Sequence, residues 1–330
     1  MKVHIEHTSS TDGFDRFEEG FHFIGAEDFI KEERRIVIKP NFTFPIYRKG
    51  VMTNPALLEE LVRYLKNYTN HIVVCESDSG GYNRFSMNHV FEKIGIFELS
   101  RKYDFRVMNL SEQPSKNITV PLKYKTINLP LPAVLLDETD LFITMPVPKI
   151  HMNTTVSLSL KNQWGVIQDP ALRLRLHPYF ADVIYAINKA LPKAISIVDG
   201  RFGLTRSGPM EGDVLDLNWL LMSDDLFFAD FIVTYLMGMD YKKIGYLNQI
   251  FQKENIISLD QGQFNTNIEP FKSGQFYLKR KWTDYPGLLA FHSPFWAYVA
   301  YYSPLSDFLH KLLYLFRKPF YDYSDPESTS

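Results

Sequence analysis

The chain is poor in cysteine, with Cys75 as the only one among its 330 residues. A single thiol excludes an intrachain disulfide, a four-cysteine zinc site and an iron–sulfur cluster ligated by this chain alone. The chain also lacks an excess of either charge, since 36 Lys and Arg residues face 38 Asp and Glu residues. This balance argues against general nucleic-acid binding, which depends on a basic surface. We therefore expect no nucleic-acid partner.

The first residues contain no apolar run long enough for the core of a signal peptide. A lack of paired cysteines is typical of a reducing compartment. We therefore expect a cytoplasmic protein, with a peripheral position at a membrane as the alternative. The histidines and acidic residues show no spacing typical of a metal site, so we predict no metal ligands, with a metal-dependent enzyme that uses Asp78, His151, His177 and Asp199 as the alternative. No dinucleotide or P-loop motif is present either, and the cofactor stays unassigned.

Short apolar runs alternate with helical patterns through most of the chain. Asn54 is a good helix N-cap and Pro55 a good first helical residue, and the leucines that follow recur on one face. Continuous apolar strands separated by helices are typical of a parallel sheet covered on both faces. We predict an α/β domain over residues 1–270, with a mostly parallel sheet flanked by helices. The predicted strands are 36–40, 72–75, 105–110, 140–145, 194–198 and 217–222.

Polar residues directly follow several of these strands. The carboxyl ends of parallel strands form the usual ligand-binding edge of such a sheet, so we expect these side chains to converge on one crevice. The residues are Lys39, Asn41, Asp78, Ser79, Gly80, Gly81, Lys149, His151 and Asp199. The Gly80–Gly81 turn is either an anion-binding arrangement of backbone N–H groups or an ordinary tight turn.

The stretch from 146 to 178 is basic in an otherwise neutral chain. Four cations lie there, and Asp169 is the only carboxylate. A set of this kind suits a carboxylate or phosphate ligand, which needs fixed cationic donors. The cations are Lys149, Lys161, Arg173 and Arg175.

Lys161 is the leading candidate for a catalytic residue, because it ends an alternating apolar run. Burial there would lower its pKa and make the amine a base or nucleophile. Alternatively, the side chain extends to solvent or pairs with a carboxylate. His151 and His177 are candidates for proton transfer, with purely structural roles as the alternative. Asp199 is a candidate acid–base or supporting carboxylate.

The remaining candidates would hold the ligand rather than react with it. Arg206 lies in the charged, glycine-containing segment 200–213, which is either a substrate loop or lid, or a plain surface loop. Charge and orientation would come from Lys39, Lys149, Asn41 and Asn162.

Aromatic residues and prolines become frequent after residue 270. Ser303 and Pro304 predict the start of an amphipathic helix, whose apolar stripe begins at Leu305. We predict an aromatic, helical C-terminal extension over 271–330. It packs onto the domain, or it contacts a protein partner, a second copy of the chain or a membrane surface through residues 282–318.

Several segments between about 36 and 240 resemble one known family, in the same order along the chain. They are Ile38-Lys39-Pro40-Asn41, Pro148-Lys149-Ile150-His151, Leu160-Lys161-Asn162-Gln163-Trp164-Gly165, Ile197-Val198-Asp199-Gly200, and Gly208-Pro209 with Gly212. The sequence resembles the bacterial and archaeal family catalogued as domain of unknown function 362. The resemblance implies no particular reaction, because the family has no general assigned one. Many members carry ferredoxin-type iron–sulfur modules, and this chain, with one cysteine, departs from them.

Two functions fit these observations. The first is an enzyme that binds a small anionic metabolite or cofactor and uses Lys/His proton-transfer chemistry, with isomerase or lyase chemistry favoured over oxidoreductase chemistry. The second is a non-catalytic accessory protein that docks to a partner or membrane through the C-terminal extension.

Overall fold

A mixed β-sheet runs through the protein in a computed structural model that describes residues 1–8, 13–79, 86–301 and 303–314. The strands are β1 (Lys2–His7), β2 (Ile36–Pro40), β3 (Ile72–Glu76), β4 (Arg106–Asn109), β5 (Ser115–Pro121), β6 (Thr126–Pro132), β7 (Leu141–Met145), β8 (Lys149–His151), β9 (Thr155–Ser157), β10 (Ala194–Thr205), β11 (Asp213–Ser223) and β12 (Gln263–Phe264). Their order across the main sheet is β12-β1-β11-β10-β7-β2-β3-β4, with β8 paired to β10, β9 paired to β8, and β5 and β6 forming a separate hairpin.

The centre of the sheet is parallel. Strand β2 pairs in parallel with both β3 and β7, and β7 pairs in parallel with β10. Strands β2, β3 and β7 are buried along their whole length. Their apolar side chains alternate between two faces, so that Val37 and Ile38 belong to different core clusters. Helices cover both faces, which confirms the predicted α/β architecture with a mostly parallel sheet.

The helices connect the strands and form the C-terminal extension. They are α1 (Gly13–Ile24), α2 (Pro55–Leu65), α3 (Met87–Lys93), α4 (Ile96–Tyr103), α5 (Ala133–Asp137), α6 (Ser159–Asn162), α7 (Pro170–Leu176), α8 (Phe180–Ala190), α9 (Leu226–Leu236), α10 (Gly245–Lys253), α11 (Tyr285–His292), α12 (Pro294–Tyr301) and α13 (Ser306–Tyr314). Asn54 caps α2 by accepting the backbone N–H of Ala56 at 2.9 Å, as the sequence predicts.

The C-terminal helices carry the aromatic residues predicted for the extension. Helix α11 contacts the 3-10 turn His177–Tyr179, and α12 contacts α7. Phe291 is 7% exposed and belongs to the same apolar cluster as one face of the sheet. In contrast, Phe308 on α13 is 63% exposed. Within the described residues, no helix combines the length and the apolar character needed to cross a bilayer.

Two local predictions are wrong. The predicted strand 194–198 is too short, because β10 continues to Thr205, and only 206–212 of the segment 200–213 form a loop before β11 begins at Asp213. Gly200 serves sheet packing there, since an added Cβ would lie 2.1 Å from a ring carbon of Trp219. Lys161 lies in the one-turn helix α6 and not at the end of a strand.

Candidate functional site

A buried ion pair lies where β2 and β3 end. The Nζ atom of Lys39 is 2.7 Å from Oε2 of Glu76, and the two side chains are 1% and 6% exposed. The second carboxylate oxygen of Glu76 accepts the backbone N–H of Ser77 at 3.0 Å. Because parallel neighbours end at the same edge, this pair marks the carboxyl edge of the sheet.

The backbone of Gly165 passes directly over this ion pair. A Cβ at residue 165 would lie 2.9 Å from Oε1 of Glu76 and 3.0 Å from Nζ of Lys39. The close approach therefore requires glycine at this position, which accounts physically for the last residue of the Leu160–Gly165 segment.

A network of buried side chains holds α6 against the same edge. Asn162 donates through Nδ2 to Oγ1 of Thr144 at 2.8 Å and to the carbonyl oxygen of Lys39 at 3.2 Å. Thr144 in turn donates to Oε1 of Gln163 at 3.1 Å. Asn162 thus ties α6 to β2 and β7 through its amide, and Lys161 directly precedes it on α6.

Asp230 on α9 fixes the start of α6. Its carboxylate accepts the backbone N–H groups of Ser159 at 2.7 Å and Leu160 at 3.0 Å. The side chain is fully buried, and burial raises its pKa to about 7, against the opposing effect of these hydrogen bonds. A carboxylate at a helix N-terminus satisfies donors that would otherwise lack partners, so Asp230 positions the turn that carries Lys161.

Lys161 is a partly buried cation without a counter-ion. Among the described residues it has no hydrogen-bonding or ion-pair partner. Burial, followed by the positive charges of Lys39 and Arg173, lowers the pKa of its amine to about 8. An amine with this pKa is neutral in a substantial fraction of molecules near neutral pH, so it can accept a proton.

Lys149 is a second cation with a lowered pKa. It is 4% exposed, and its Nζ atom donates to the carbonyl oxygen of Val51 at 2.7 Å. Asn41 donates to the same oxygen at 2.9 Å. Burial lowers the pKa of Lys149 to about 7, with smaller contributions from Lys161 and Lys39. The predicted ligand-binding residues Lys149 and Asn41 therefore meet at one carbonyl group.

His151 is held in one tautomer by the turn that follows it. Its Nδ1 atom accepts the backbone N–H groups of Asn153 at 3.1 Å and Thr154 at 3.4 Å. Burial, followed by the charges of Lys161 and Lys149, keeps its pKa well below the ordinary value for histidine. In the neutral ring the proton must then be on Nε2, so His151 offers an N–H donor to a ligand.

His177 lies in an aromatic stack. Its ring is parallel to that of Trp164 at 5.7 Å and packs against Phe291 of α11 at 4.9 Å. Burial and then the charge of Lys161 lower the pKa of His177 to about 3, so the ring is neutral near pH 7. Its Nδ1 atom and the indole N–H of Trp164 are both buried without a hydrogen-bond partner among the described residues.

Arg173 on α7 joins this edge to the loop after β3. Its guanidinium donates to the backbone oxygen of Ile167 at 2.8 Å, the backbone oxygen of Asp78 at 2.7 Å and Oγ of Ser77 at 2.6 Å. Burial lowers its pKa to about 10, although nearby Glu76 and Asp78 oppose the shift. Arg173 therefore adds a positive charge whose position beside the loop after β3 is fixed by three hydrogen bonds.

The side chains of Asp78 and Ser79 are occupied by local contacts. Oδ1 of Asp78 accepts the backbone N–H of Met87 at 2.6 Å and the amide of Asn109 at 2.9 Å. Ser79 donates to the carbonyl oxygen of Thr43 at 3.1 Å. Gly80 and Gly81 lie outside the described residues.

Asp199 faces helix α2 rather than Lys161. Its carboxylate accepts the backbone N–H of Asn54 at 2.8 Å and that of Arg201 at 3.3 Å. Burial raises its pKa, while the hydrogen bond from Asn54 and the charge of Arg201 oppose the rise. Burial, followed by the charge of Asp199, raises the pKa of Tyr47 to about 12. These contacts give Asp199 a structural role, which is to hold the backbone at the start of α2.

Arg206 lies in a separate surface cleft. It forms a bidentate ion pair with Asp213, with Nε–Oδ2 and Nη2–Oδ1 distances of 2.8 and 2.9 Å. The cleft has a volume of about 550 Å³ and is also lined by Lys49 and Lys281. Val51 lines it too, so its wall includes the residue whose carbonyl binds Lys149.

The structure therefore brings together Lys39, Lys149, Lys161, Asn162, His151 and His177, and it places Asp199 and Arg206 elsewhere. The sequence analysis named Arg173 only as one of the cations in the basic stretch, and it did not select three further residues that build this site, namely Glu76, Trp164 and Asp230. Glu76 directly follows a predicted strand and Arg173 lies in the basic stretch, so both carried a signal. Asp230 lies inside an apolar helical segment, where the unusual feature is a carboxylate among buried side chains.

The fold and these contacts define an α/β protein with a cluster of buried and half-buried cations at the carboxyl edge of its parallel strands. The chain belongs to the family described as domain of unknown function (DUF362), whose model matches residues 36–235. A thylakoid-associated protein of Synechocystis sp. is 23% identical over 224 residues, which are 66% of this chain and 67% of that protein.

Two solved structures are similar over part of their length. The lactate racemase apoprotein from Thermoanaerobacterium thermosaccharolyticum has a TM-score of 0.43 and 15% identity, over 72% of this chain and 57% of that chain. A protein from Thermotoga maritima has a TM-score of 0.39 and 18% identity, over 63% of this chain and 54% of that chain. The present chain thus spans little more than half of either protein.

Proposed function

We propose that this protein is an enzyme that binds a small carboxylate or phosphate metabolite and transfers a proton with Lys161. The observation that carries the proposal is the unpaired, partly buried Lys161 amine beside other fixed cations. Buried charges are ordinarily paired, because an isolated one is costly. A bound anion would supply the counter-charge that Lys161 lacks among the described residues.

The two histidines take different parts in this proposal. His151 donates its Nε2 proton to a ligand oxygen, because its Nδ1 atom already accepts two backbone N–H groups. His177 is neutral and stacked on Trp164, so in this proposal its ring forms part of the apolar wall of the ligand site, with Nδ1 as the polar atom of that wall. The neutral fraction of Lys161 removes the proton, as a general base whose pKa lies near the working pH. Isomerisation and elimination both begin with such a step.

The test uses small molecules released from natively purified protein and identified by mass spectrometry. We expect wild-type protein to retain an anionic metabolite and Lys161→Met to retain at least tenfold less, a change of about 1.4 kcal/mol in binding. Lys242→Met, which removes an exposed lysine beyond α9, is the matched control. Equal retention by Lys161→Met and Lys242→Met contradicts the proposal.

The exposed aromatic side chains of the C-terminal extension favour a second function, peripheral association with a membrane. Trp282 and Phe295 are each 65% exposed, Tyr298 is 58% exposed and Trp296 is 42% exposed. Tryptophan and tyrosine are the residues enriched at the level of lipid headgroups. The name of the Synechocystis relative, a thylakoid-associated protein, points the same way.

Co-sedimentation with vesicles tests this second function. We expect the wild-type chain to sediment with vesicles that contain anionic lipid, and a Trp282→Ser/Phe295→Ser/Trp296→Ser variant to remain in the supernatant. Ile257→Ser, at an apolar residue 64% exposed outside the extension, is the control. Sedimentation of the triple variant at the wild-type level would exclude the extension as the membrane contact.

A further inference from the structure

A buried histidine on β1 has no hydrogen-bond partner. His4 is 4% exposed, and both its ring nitrogens are buried without a partner among the described residues. An imidazole has either one donor and one acceptor or two donors, and each costs free energy when it is buried and unsatisfied. The ring therefore requires a group that the described residues of the chain do not supply.

Two carboxylates converge on this ring. One ligand atom from each of His4, Glu6 and Glu19 lies within 4.8 Å of the others. His4 and Glu6 point to the same face of β1 because they are two residues apart in a strand. Glu19 comes from α1, which packs against β1.

A glycine allows the helix to lie this close to the sheet. Gly20 follows Glu19, and an added Cβ there would lie 2.3 Å from Sδ of Met222. Met222 on β11 is the residue paired with His4 in the sheet. The small residue on α1 and the register of β1 therefore bring Glu19 next to His4.

The charges of the cluster suit a dication. Arg16 pairs with Glu6, with an Nε–Oε1 distance of 2.7 Å, and also donates to the carbonyl oxygen of Thr8 at 2.7 Å and to Glu60 at 3.3 Å. One guanidinium offsets one of the two carboxylates of the cluster, so Glu19 and the neutral imidazole remain available. Glu19 is exposed, which gives an ion a path into the site.

We propose that His4, Glu6 and Glu19 bind a divalent first-row transition metal, with Zn²⁺ as the best-matched ion. One imidazole nitrogen and two carboxylate oxygens are ligands that zinc accepts, at bond lengths of about 2.0–2.2 Å. Ligand atoms in such a tetrahedral site lie about 3.4 Å apart. The exposed Glu19 side chain closes the remaining distance by changing rotamer. The metal ties α1 to β1, far along the sheet from Lys161.

This site has no recognisable sequence motif. A histidine and a glutamate two residues apart on a strand are common. The third ligand, Glu19, lies 13 residues after Glu6 and belongs to a helix. This is why the sequence predicted no metal ligands, and only the packing of α1 on the sheet brings the set together.

The test is a Zn²⁺ titration of the full chain after chelator treatment, followed by calorimetry and native mass spectrometry. We expect one Zn²⁺ per chain for wild-type protein and at least tenfold weaker binding for Glu19→Gln. Glu18→Gln, at the neighbouring exposed residue, should match wild type. The thermal midpoint should rise with Zn²⁺ in wild-type and Glu18→Gln protein but not in Glu19→Gln protein, because only a ligand that binds the folded state stabilises it.

Two outcomes overturn the proposal. One is the absence of saturable Zn²⁺ binding by folded wild-type protein, which would mean that His4 is satisfied by buried water. The other is Zn²⁺ binding that survives Glu19→Gln but is lost in His22→Asn, since His22 forms an exposed pair with Glu27 at 2.8 Å on the same part of the surface. Glu19→Gln changes an exposed side chain, so the result does not depend on a buried variant that fails to fold.

Discussion

Removing the carboxylate of Glu76 should destabilise the protein more than removing any surface carboxylate. The Glu76→Gln variant leaves the Lys39 ammonium buried at 1% exposure without a counter-ion, and one orientation of the new amide places an N–H donor towards it. Breaking a buried ion pair in this way costs about 3–5 kcal/mol of unfolding free energy. With an unfolding entropy of about 2.1 cal/mol/K per residue over 330 residues, each kcal/mol lowers the thermal midpoint by about 1.4 °C, so the midpoint should fall by roughly 4–7 °C.

Denaturant unfolding and calorimetry measure this loss against two further variants. Glu59→Gln removes one partner of a surface pair with Lys102, whose side chain is 60% exposed, and should cost less than about 1 kcal/mol. The double variant Lys39→Met/Glu76→Gln should recover much of the loss, because it leaves no unpaired buried charge. If Glu76→Gln costs no more than Glu59→Gln, the carboxyl edge is more hydrated than the structure indicates and the reasoning on the site is refuted.

Three further predictions concern the elements that position Lys161. Asp230→Ala should lower the unfolding free energy by about 1–3 kcal/mol for each of the two backbone N–H groups left unpaired, and unchanged denaturant midpoints would refute the capping role. Gly165→Ala should cost about 1–3 kcal/mol by overpacking the buried ion pair, whereas Gly287→Ala, with no atom within 4 Å of the added carbon, should cost nothing. The unfolding free energy should rise with pH between about 8 and 10.5, because the folded Lys161 loses its proton near pH 8 and the unfolded side chain keeps it to pH 10.5. The rise should be shallower in Lys161→Met. Identical slopes of unfolding free energy against pH in the two proteins would show that the pKa of Lys161 is not lowered.

The central sheet and its helices could be predicted because their signals are local. The strand over 36–40 begins with a continuous apolar run. The start of helix α2 is predicted by Asn54 as its N-cap and Pro55 as its first residue. Strand β1 escaped prediction because only two of its six residues are aliphatic and its partners β11 and β12 come from the far end of the chain. Pairing over such separations leaves no local pattern.

The candidate site was predictable to the extent that its residues follow strands. Lys39 and Lys149 do so, and the structure places both close to Lys161. Asp199 follows the predicted strand 194–198, but β10 continues through it to Thr205, and its carboxylate accepts the backbone N–H of Asn54 at the start of α2. A position after a predicted strand indicates the edge of the sheet on which a side chain lies. Packing decides the direction in which that side chain points. Asp230, which lies within a helix, has no such positional signal.

The contact between Phe291 and His177 has a consequence for how the protein is made. The strands that carry Lys39 and the turn that carries Lys161 leave the ribosome long before α11, and domains begin to fold as they emerge. A nascent chain that has formed its sheet therefore still exposes one face of the Trp164–His177 stack to water. The aromatic stack is completed only when Phe291 has been synthesised, so a chain released early would have the charged edge without its aromatic cover.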